Sequence, residues 1–364
     1  MNATALYNAH VKLNAKIVPF ADYKMPITYA KITEEYSAVR NNCGVFDVSH
    51  MGQIRITGND CINFLQYITV NDINRINNYE AQYSAMCNLD AGIIDDLIIF
   101  KFSNSDCIII VNASNTDNVL QWINQYKKNF NINVNVMNDS HSLIALQGPH
   151  SREILNKICS DNIELPFYHF METNLLNHSV ILTRTGYTGE LGFEISAEHN
   201  IIQKLWDYFI NNGASPAGLA VRDILRMEMK YCLYGNDIST TTNPLEAGLS
   251  WIVNFDKGNF LGKDNLLKSK NNDYQRRLIG FEMTEKAIPR TGYNVYIDNN
   301  MQHMKVGEVT SGTHSPTLSK GIGLAYIDCP YHKIGSLIYI EIRGKFLGAK
   351  IVKTPFIQNT SLHK

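Results

Sequence analysis

The sequence has no long hydrophobic segment and no excess of basic residues, and each absence argues against a class of protein. Its longest apolar runs, such as Cys107–Val111, are far shorter than the roughly 20 residues that a membrane-spanning helix needs. The formal net charge is −1, whereas proteins that bind nucleic acids or membrane surfaces generally carry a basic excess. We therefore predict a protein with neither a nucleic-acid nor a membrane partner.

Paired cysteines are missing as well. The seven cysteines are dispersed, and no two lie within four residues of each other. This removes sequence support for a structural zinc site and predicts buried free thiols in a reducing compartment. The N-terminal residues show neither the apolar core of a signal peptide nor the Arg-rich pattern of a transit peptide. We expect a cytoplasmic location, although a mitochondrial matrix protein without its presequence would look the same.

Common nucleotide-binding and hydrolase motifs are absent too. The sequence contains no HExxH, GxSxG or GxxxxGK[ST] motif, so the usual chemistry of these enzymes has no support. The G-x-G at 321–323 has Tyr326 in place of a third glycine and no helical segment after it. It is therefore not a dinucleotide fingerprint.

The length and the local patterns predict more than one domain. The chain has 364 residues, beyond the roughly 250–300 at which a single core stops growing. Between Asp256 and Gln275 it becomes polar, which predicts a short helix and then a linker or boundary. The remainder is rich in β-forming runs separated by Gly and Pro, which is typical of a small sandwich or barrel. The predicted strands there are Leu278–Met283, Tyr293–Ile297, Lys305–Thr310, Gly323–Ile327, Leu337–Ile342 and Phe346–Val352.

Two adjacent carboxylates, Asp95 and Asp96, interrupt a predicted apolar strand in the segment NLDAGIIDDLIIF. Because neighbouring side chains on a strand point to opposite faces, one carboxylate should be solvated and the other should point inward. An inward carboxylate costs several kcal/mol unless it is paired or has a function. The residues alone favour an ordinary strand-start or turn position for both, with a functional carboxylate as the alternative.

Glu194 and Arg222 are two further charges in unusual places. Glu194 lies inside an apolar strand that follows the turn Gly186–Gly189, whose glycines allow a ligand to approach the backbone closely. Arg222 lies in the first turn of a helix predicted over Ala220–Tyr231, where a cation opposes the helix dipole and needs a partner or an anionic ligand. An exposed Glu beside a hairpin and a routine ion pair of the arginine are the alternatives.

Short stretches along nearly the whole chain resemble the T-protein family of the glycine cleavage system. No single stretch is sufficient, but many of them in the right order make the resemblance specific. The matching stretches are FxxxxMP at 20–26, GVFDVSHMG at 44–52, YSAMCNxxxGIIDDL at 83–97, LQGP at 146–149, RTGYTGExGFE at 184–194, PAGLAxRDxLRxE at 216–228, NPLEAGLSW at 243–251, FLGK at 260–263, TSGTxSPTL at 310–318, GIGLAY at 321–326 and KTPF at 353–356.

The resemblance implies an α+β fold of three lobes, arranged as a cloverleaf around a central folate-binding opening, with a C-terminal antiparallel β-barrel. It implies a folate-binding domain over residues 1–260, in which two lobes interleave and the second spans roughly 52–140, and a barrel domain over 276–358. The polar segment at 256–275 agrees independently with such a boundary.

The resemblance also implies tetrahydrofolate in the central opening and assigns residues around it. A pterin ring offers an N–H and an amino group side by side, a donor pair that suits one carboxylate such as Glu194. Aromatic and thioether walls suit the flat ring, and Arg222 suits the carbonyl or carboxylate groups of folate. The implied catalytic residue is Asp96. The implied folate- or substrate-binding residues are Glu194, Arg222, Tyr83, Met51, Tyr187, Asn112 and Trp251.

The implied reaction moves a methylene carbon from the aminomethyl-lipoyl group of H-protein to tetrahydrofolate, giving 5,10-methylenetetrahydrofolate, ammonia and dihydrolipoyl H-protein. Asp96 would stabilise the cationic carbon and accept a proton from the attacking nitrogen, and neither a metal nor a flavin is needed. The lipoylated H-protein should dock transiently at the mouth of the opening. H-proteins are typically acidic, so basic residues should face them. The candidates, each otherwise an ordinary surface charge, are Lys263, Lys268, Arg276, Arg277 and Arg290.

Two other interpretations involve related folds. The first is a folate-dependent demethylase or the folate domain of a sarcosine- or dimethylglycine-oxidising flavoenzyme. Such oxidases carry an N-terminal flavin domain that this sequence lacks. A stand-alone demethylase with a small methylated substrate stays an alternative, although the RTGYTGE and NPLEAGLSW stretches fit the T-protein family closely. Non-enzymatic relatives that assist iron–sulfur cluster assembly are the second. These carry a KGCYxGQE segment, whereas the corresponding turn here, Arg184–Glu190, contains no cysteine.

Overall fold

The computed structural model describes residues 1–271, 275–299 and 302–364 as a mixture of strands and helices. The strands are β1 (Asn2–Ala3), β2 (Lys16–Phe20), β3 (Tyr23–Thr28), β4 (Gly44–Asp47), β5 (Gly52–Thr57), β6 (Glu80–Cys87), β7 (Ile93–Ser103), β8 (Asp106–Val111), β9 (Asn133–Val136), β10 (His141–Gln147), β11 (Phe170–Leu175), β12 (His178–Thr183), β13 (Gly192–Glu198), β14 (Ser215–Pro216), β15 (Arg276–Met283), β16 (Asn294–Asn299), β17 (Gln302–Ser315), β18 (Lys320–Asp328), β19 (Leu337–Ile342) and β20 (Lys345–Val352). The helices are α1 (Tyr7–Lys12), α2 (Ile32–Asn41), α3 (Cys61–Ile68), α4 (Thr116–Tyr126), α5 (Ser151–Asn156), α6 (His199–Asn211), α7 (Leu219–Glu228) and α8 (Lys263–Asn271).

Two sheets are interleaved along the first two thirds of the chain. The five-stranded sheet has the order β6-β7-β8-β5-β9 and is built entirely from residues 52–136. The six-stranded sheet, β11-β12-β13-β10-β4-β14, takes strands from both sides of that segment. A smaller sheet, β1-β3-β2, contains the N-terminal hairpin. The segregation of helices from largely antiparallel sheets confirms the predicted α+β class.

The C-terminal strands close into an antiparallel barrel in the order β15-β18-β17-β16-β19-β20, and β20 pairs back onto β15. The predicted barrel is confirmed, and β19 has the predicted bounds. Strand β17 is longer than the predicted Lys305–Thr310 because it continues past a register shift between Val309 and Ser311. Gly312 follows that shift and is a poor strand former. A prediction from β-forming residues therefore ends the strand too early. The domain limits 1–260 and 276–358 stay a prediction, and residues 272–274 of the proposed linker lie outside the described ranges.

Helix α6 shows how the cores are built. Its apolar residues recur at helical spacing and face the six-stranded sheet. Each fully buried aliphatic or aromatic side chain contributes roughly 1.5–3 kcal/mol. The buried residues of this helix are Ile201, Ile202, Leu205, Trp206 and Phe209. Separate clusters fill the five-stranded sheet and the barrel. None of the helices in the described ranges is long and apolar enough to cross a membrane.

Helix α7 lies where the sheets and the barrel meet, and it ends earlier than the predicted Tyr231. Lys230 adopts a left-handed φ of 58°, which no helix can continue. The backbone N–H of Lys230 donates to Met227 and that of Tyr231 donates to Arg226, at 3.0 and 2.9 Å. This pair of bonds is the Schellman pattern that satisfies the last carbonyls of a helix. The chain therefore turns back at Lys230 and leads Tyr231 toward the centre of the molecule.

Two buried charge clusters fix α7 to the barrel. Arg226 is 2% exposed; its Nη1 contacts Asp237 at 2.6 Å and its Nη2 donates to Ser311 of β17 at 2.9 Å. Glu228 is 0% exposed and accepts hydrogen bonds from Arg40 of α2 and from Ser315 of β17, each at 2.5 Å. Buried charges are tolerated only when they are paired in this way. The barrel therefore contributes, together with α2, to holding α7 in place.

Candidate active site

A cavity of about 1330 Å³ lies between the two sheets, helix α7 and the barrel. It is larger than the roughly 300–1,000 Å³ of most small-molecule sites, so it has room for more than one reacting group. The structure brings together on its wall all eight residues predicted for the site, although their roles are not tested by this placement. These residues are Met51, Tyr83, Asp96, Asn112, Tyr187, Glu194, Arg222 and Trp251.

The two adjacent carboxylates have different surroundings. Asp95 is 0% exposed, whereas Asp96 is half-buried and lines the cavity. Asn112 follows β8 directly and lies beside both, because β8 pairs with β7 up to Leu97 and Val111. Its Nδ2 donates to an oxygen of each carboxylate at 2.8 Å, and its backbone N–H donates to Asp95 at 2.9 Å. Asn112 therefore holds the pair in one fixed arrangement.

Asp96 is oriented from its other side by an aromatic pair. The hydroxyl of Tyr83, on the neighbouring strand β6, donates to Asp96 Oδ2 at 2.8 Å. The Tyr83 ring stacks on Trp251 with centroids 5.8 Å apart and an angle of 27° between the planes. Trp251 is 69% exposed, unusual for an indole that lines a cavity. These rings offer a flat apolar surface next to a fixed carboxylate.

Burial raises the pKa of Asp96, while the hydrogen bonds from Tyr83 and Asn112 oppose that shift. Burial, followed by the charge of Asp96, also raises the pKa of Asp95. Two carboxylates held this close disfavour a second negative charge, so they titrate as a coupled pair. Such a perturbed group on the wall of a cavity is a candidate for proton transfer.

Glu194 lies on β13, opposite Thr183 of β12 and Ala145 of β10. Thr185, just beyond β12, donates a hydrogen bond from its hydroxyl to one oxygen of the Glu194 carboxylate. The hydroxyl oxygens of Thr185 and Thr183 are hydrogen-bonded to each other at 2.7 Å. Because a carboxylate has about four acceptor positions, most of its capacity is left for a ligand. Glu194 forms no ion pair within the described ranges, and the charge that acts on it from a distance is that of Arg222.

Arg222 lies in the first turn of α7, with its guanidinium carbon 4.6 Å from the centroid of the Tyr187 ring. Tyr187 in turn stacks on Tyr231 with centroids 5.6 Å apart, and its hydroxyl donates to the carbonyl of Cys232. Burial lowers the pKa of Arg222, and the charge of Glu194 opposes this shift. The guanidinium makes no hydrogen bond or ion pair within the described ranges. Its donors are therefore free for an anionic or carbonyl group of a ligand.

Sequence reasoning missed several other residues of the wall, including His50, Tyr168 and Tyr231. His50 could have been predicted from the sequence, because it directly precedes Met51 in the GVFDVSHMG stretch. Tyr231 could not, because only the left-handed turn after α7 brings its ring under Tyr187. No metal site is evident either: the described part of the chain contains no group of three or more His, Cys, Asp or Glu side chains able to hold an ion.

The basic residues proposed for partner docking are not equivalent in the structure. Arg276 is engaged in an ion pair with Glu246 at 2.9 Å, and Lys263 donates to the carbonyl of Gly258 at 2.7 Å. Arg290 is exposed and lines the cavity, so it is the candidate nearest to the opening. Lys268 donates to Asn265 at 3.1 Å. Arg277 lies on the surface. The docking role of all five stays a prediction.

Known proteins resemble this chain over its full length. Residues 6–257 match the sequence model of the GCVT N-terminal domain, and residues 276–358 match that of the glycine cleavage T-protein C-terminal barrel domain. An aminomethyltransferase of Thermosipho melanesiensis is 42% identical over 362 residues, which cover 99% of this chain and 98% of that protein. One of Halothermothrix orenii is 43% identical over 364 residues, covering 98% and 100%.

A solved structure agrees with these sequence matches. The glycine cleavage system aminomethyltransferase T from Bartonella henselae superposes with a TM-score of 0.93 at 30% identity, over 99% of both chains. The relatives and the superposed structure are aminomethyltransferases, which places the chain among the folate-dependent transferases. The chain belongs to the glycine cleavage T-protein family.

Proposed function

We propose that this protein transfers the methylene carbon from the aminomethyl-lipoyl group of H-protein to tetrahydrofolate in the glycine cleavage system. The products are 5,10-methylenetetrahydrofolate, ammonia and dihydrolipoyl H-protein. The observation that carries the proposal is Asp96, a carboxylate of raised pKa that Tyr83 and Asn112 fix on the wall of a cavity large enough for two substrates. Full-length similarity to aminomethyltransferases supports the same activity.

Tetrahydrofolate binds with its pterin ring toward Glu194 and Arg222. The ring N–H and the amino group donate to the Glu194 carboxylate, since Thr185 already holds that carboxylate in place. Arg222 donates to a carbonyl or carboxylate group of folate, because its guanidinium makes no hydrogen bond or ion pair in the described ranges and contacts only the face of the Tyr187 ring. The stacked rings of Tyr83 and Trp251 line the path to Asp96.

The chemistry at Asp96 follows from the charges that develop. The lipoyl sulfur carries an S–CH₂–NH₂ group, and loss of ammonia and thiolate passes through a cationic, iminium-like carbon. The two N–H groups of tetrahydrofolate are replaced by the N–CH₂–N bridge, and their protons leave with the thiol and the ammonia. Asp96 stabilises the cation and takes a proton from the attacking nitrogen. The carbon keeps the oxidation level of formaldehyde throughout, so the reaction requires no flavin, and we propose no metal for it.

The partners and the location follow from the same assignment. Lipoylated H-protein binds transiently at the mouth of the cavity, where Arg290 is exposed, and tetrahydrofolate is the second substrate. We assign no nucleic-acid or membrane partner, in keeping with the net charge of −1. No disulfide joins cysteines within the described ranges, which supports a reducing compartment, the cytoplasm in a bacterium or the matrix in a mitochondrion.

An assay with aminomethylated H-protein tests the function. Ammonia release should require tetrahydrofolate and should be unaffected by a chelator. At sub-saturating H-protein, turnover should fall as salt rises, because screening of an electrostatic docking surface lowers the association rate. Folate-independent ammonia release would contradict the proposed reaction. Turnover that does not depend on salt would contradict only the proposed electrostatic docking. Activity that is lost to the chelator and restored by a metal would contradict only the metal-free mechanism.

Replacement of Glu194 tests the pterin site. Glu194→Gln should weaken tetrahydrofolate binding by roughly 2–5 kcal/mol, because a buried charge-assisted contact is lost and an amide presents a donor to a donor pair. Calorimetry measures this directly. Glu198→Gln is the matched control, since Glu198 is an exposed residue at the end of the same strand and does not line the cavity. Unchanged affinity in Glu194→Gln would place the pterin ring elsewhere.

A further inference from the structure

His50 is a buried imidazole that makes no hydrogen bond to any residue within the described ranges. It lies in the connection between β4 and β5, is 3% exposed and forms part of the cavity wall. Its Nδ1 is buried without a hydrogen-bond partner. Buried polar side-chain atoms are usually satisfied, and an unsatisfied one lowers the stability of the fold. A group that is left unsatisfied on the wall of a binding cavity needs an explanation.

A second buried histidine shows the ordinary arrangement in the same chain. His10 is 0% exposed, and its two ring nitrogens contact Asp47 at 2.9 Å and Tyr29 at 2.8 Å. His10 does not line the cavity. Both imidazoles are buried to a similar degree, so burial alone does not account for the missing partners of His50. The difference between them is that His50 faces the site.

The surroundings of His50 hold its ring in place without using its nitrogens. The Phe20 ring packs edge-on against it with centroids 5.5 Å apart, and Tyr23 lies at 6.5 Å. Burial, opposed by Asp47 and assisted by Arg222, lowers the pKa of His50 to about 4. At neutral pH the ring is therefore uncharged and carries one N–H donor and one acceptor nitrogen.

His50, Arg222 and Glu194 line the same cavity. The charge of Arg222 acts on His50, and the charge of Glu194 acts on Arg222. A flat heteroaromatic ring held between these groups presents alternating N–H donors and acceptor atoms around its edge. An imidazole that offers one donor and one acceptor can satisfy such an edge where the two charged side chains do not reach.

We propose that His50 is a third polar contact to the pterin ring of tetrahydrofolate, in addition to Glu194 and Arg222. This assignment rests on the proposed function. It adds a binding residue whose contact to the ring Glu194 and Arg222 do not make. The unfilled hydrogen-bonding capacity of the free protein is then satisfied by the ligand. Binding gains from this, because an already desolvated and oriented group needs little rearrangement to make its bond.

Three substitutions of His50 test the proposal. His50→Phe keeps a ring against Phe20 but removes both nitrogens, and it should raise the Kd for tetrahydrofolate about tenfold, the effect of one lost hydrogen bond in a closed site. His50→Asn and His50→Gln each retain a polar group near one of the two nitrogen positions. One of them should bind within about threefold of wild type, which identifies the nitrogen that contacts the ring. Calorimetry with tetrahydrofolate alone measures all three.

Stability of the ligand-free protein separates a binding role from a structural one. His50→Phe should melt at or above the wild-type temperature, because it removes an unsatisfied buried group. His10→Phe should melt well below it, because Asp47 and Tyr29 lose their partner. Unchanged folate affinity in His50→Phe, or a loss of stability as large as that of His10→Phe, would overturn the proposal, as would failure of both amide variants to recover affinity. Wild-type protein that binds no tetrahydrofolate would overturn the proposed function itself, and this is seen before any variant is made.

Discussion

Asp96→Asn should reduce turnover by about 10²–10⁴-fold while the affinity for tetrahydrofolate and the melting temperature change little. The amide has the same shape, so Tyr83 and Asn112 can still pack around it. It carries no charge to stabilise the cationic carbon and cannot accept the proton of the folate nitrogen. Single-turnover ammonia release, together with calorimetric folate binding, measures the two effects separately.

Asp95→Asn is the control for this experiment. Asp95 is fully buried, and both of its oxygens accept hydrogen bonds from Asn112. An amide there should lower the melting temperature and reduce turnover far less than Asp96→Asn does. Equal losses of turnover would mean that the catalytic role is divided between the two carboxylates.

Because burial raises the pKa of Asp96, wild-type activity should decline on acidification at a higher pH than an ordinary aspartate would dictate.

Glu228→Ala should destabilise the protein by roughly 3–5 kcal/mol, the usual result of breaking a buried ion pair from one side. The carboxylate receives hydrogen bonds from Tyr36 at 2.7 Å, from Arg40 and from Ser315. Its removal takes the acceptor from the Ser315 hydroxyl and leaves Arg40 with Glu190 and the Thr188 carbonyl as its close acceptors, which weakens the junction between α2, α7 and the barrel. Chemical denaturation of the ligand-free protein measures the loss.

The exposed pair Lys31–Glu34 provides the matched control. Its side chains are 82% and 59% exposed, and its nitrogen and oxygen lie 3.4 Å apart. Glu34→Ala should change the free energy of unfolding by less than about 1 kcal/mol. If both substitutions have the same small effect, the buried cluster does not hold the lobes together.

Local sequence patterns predicted the barrel and several strands, because strand formation depends largely on residues that are neighbours in the chain. The Asp95–Asp96 pair stood out for the same reason, since charges inside an apolar strand are visible in the sequence. The contacts between lobes were not predictable in this way. Glu228 and Ser315 are far apart in the sequence, and only the packing of α7 against β17 brings them together.

In the candidate site too, some residues could be predicted from the sequence and others could not. Glu194 and Arg222 were noticed as misplaced charges, and the family resemblance gave them roles that the structure does not test. The sequence contained no sign that Arg222 rests on the Tyr187 ring, or that Tyr231 lies beneath it. The place of Tyr231 depends on the left-handed turn at Lys230, which no propensity of lysine predicts.

Helix α7 carries Arg222 on the cavity wall and, one turn later, Arg226 bonded to the barrel. A helix of this length moves as a rigid rod, so a shift of the barrel at Ser311 displaces the guanidinium that faces the cavity. Substitutions at Ser311 and at Arg222 should therefore not be independent in their effects on the site. The barrel therefore helps to set the shape of a cavity whose predicted catalytic residue, Asp96, lies outside it.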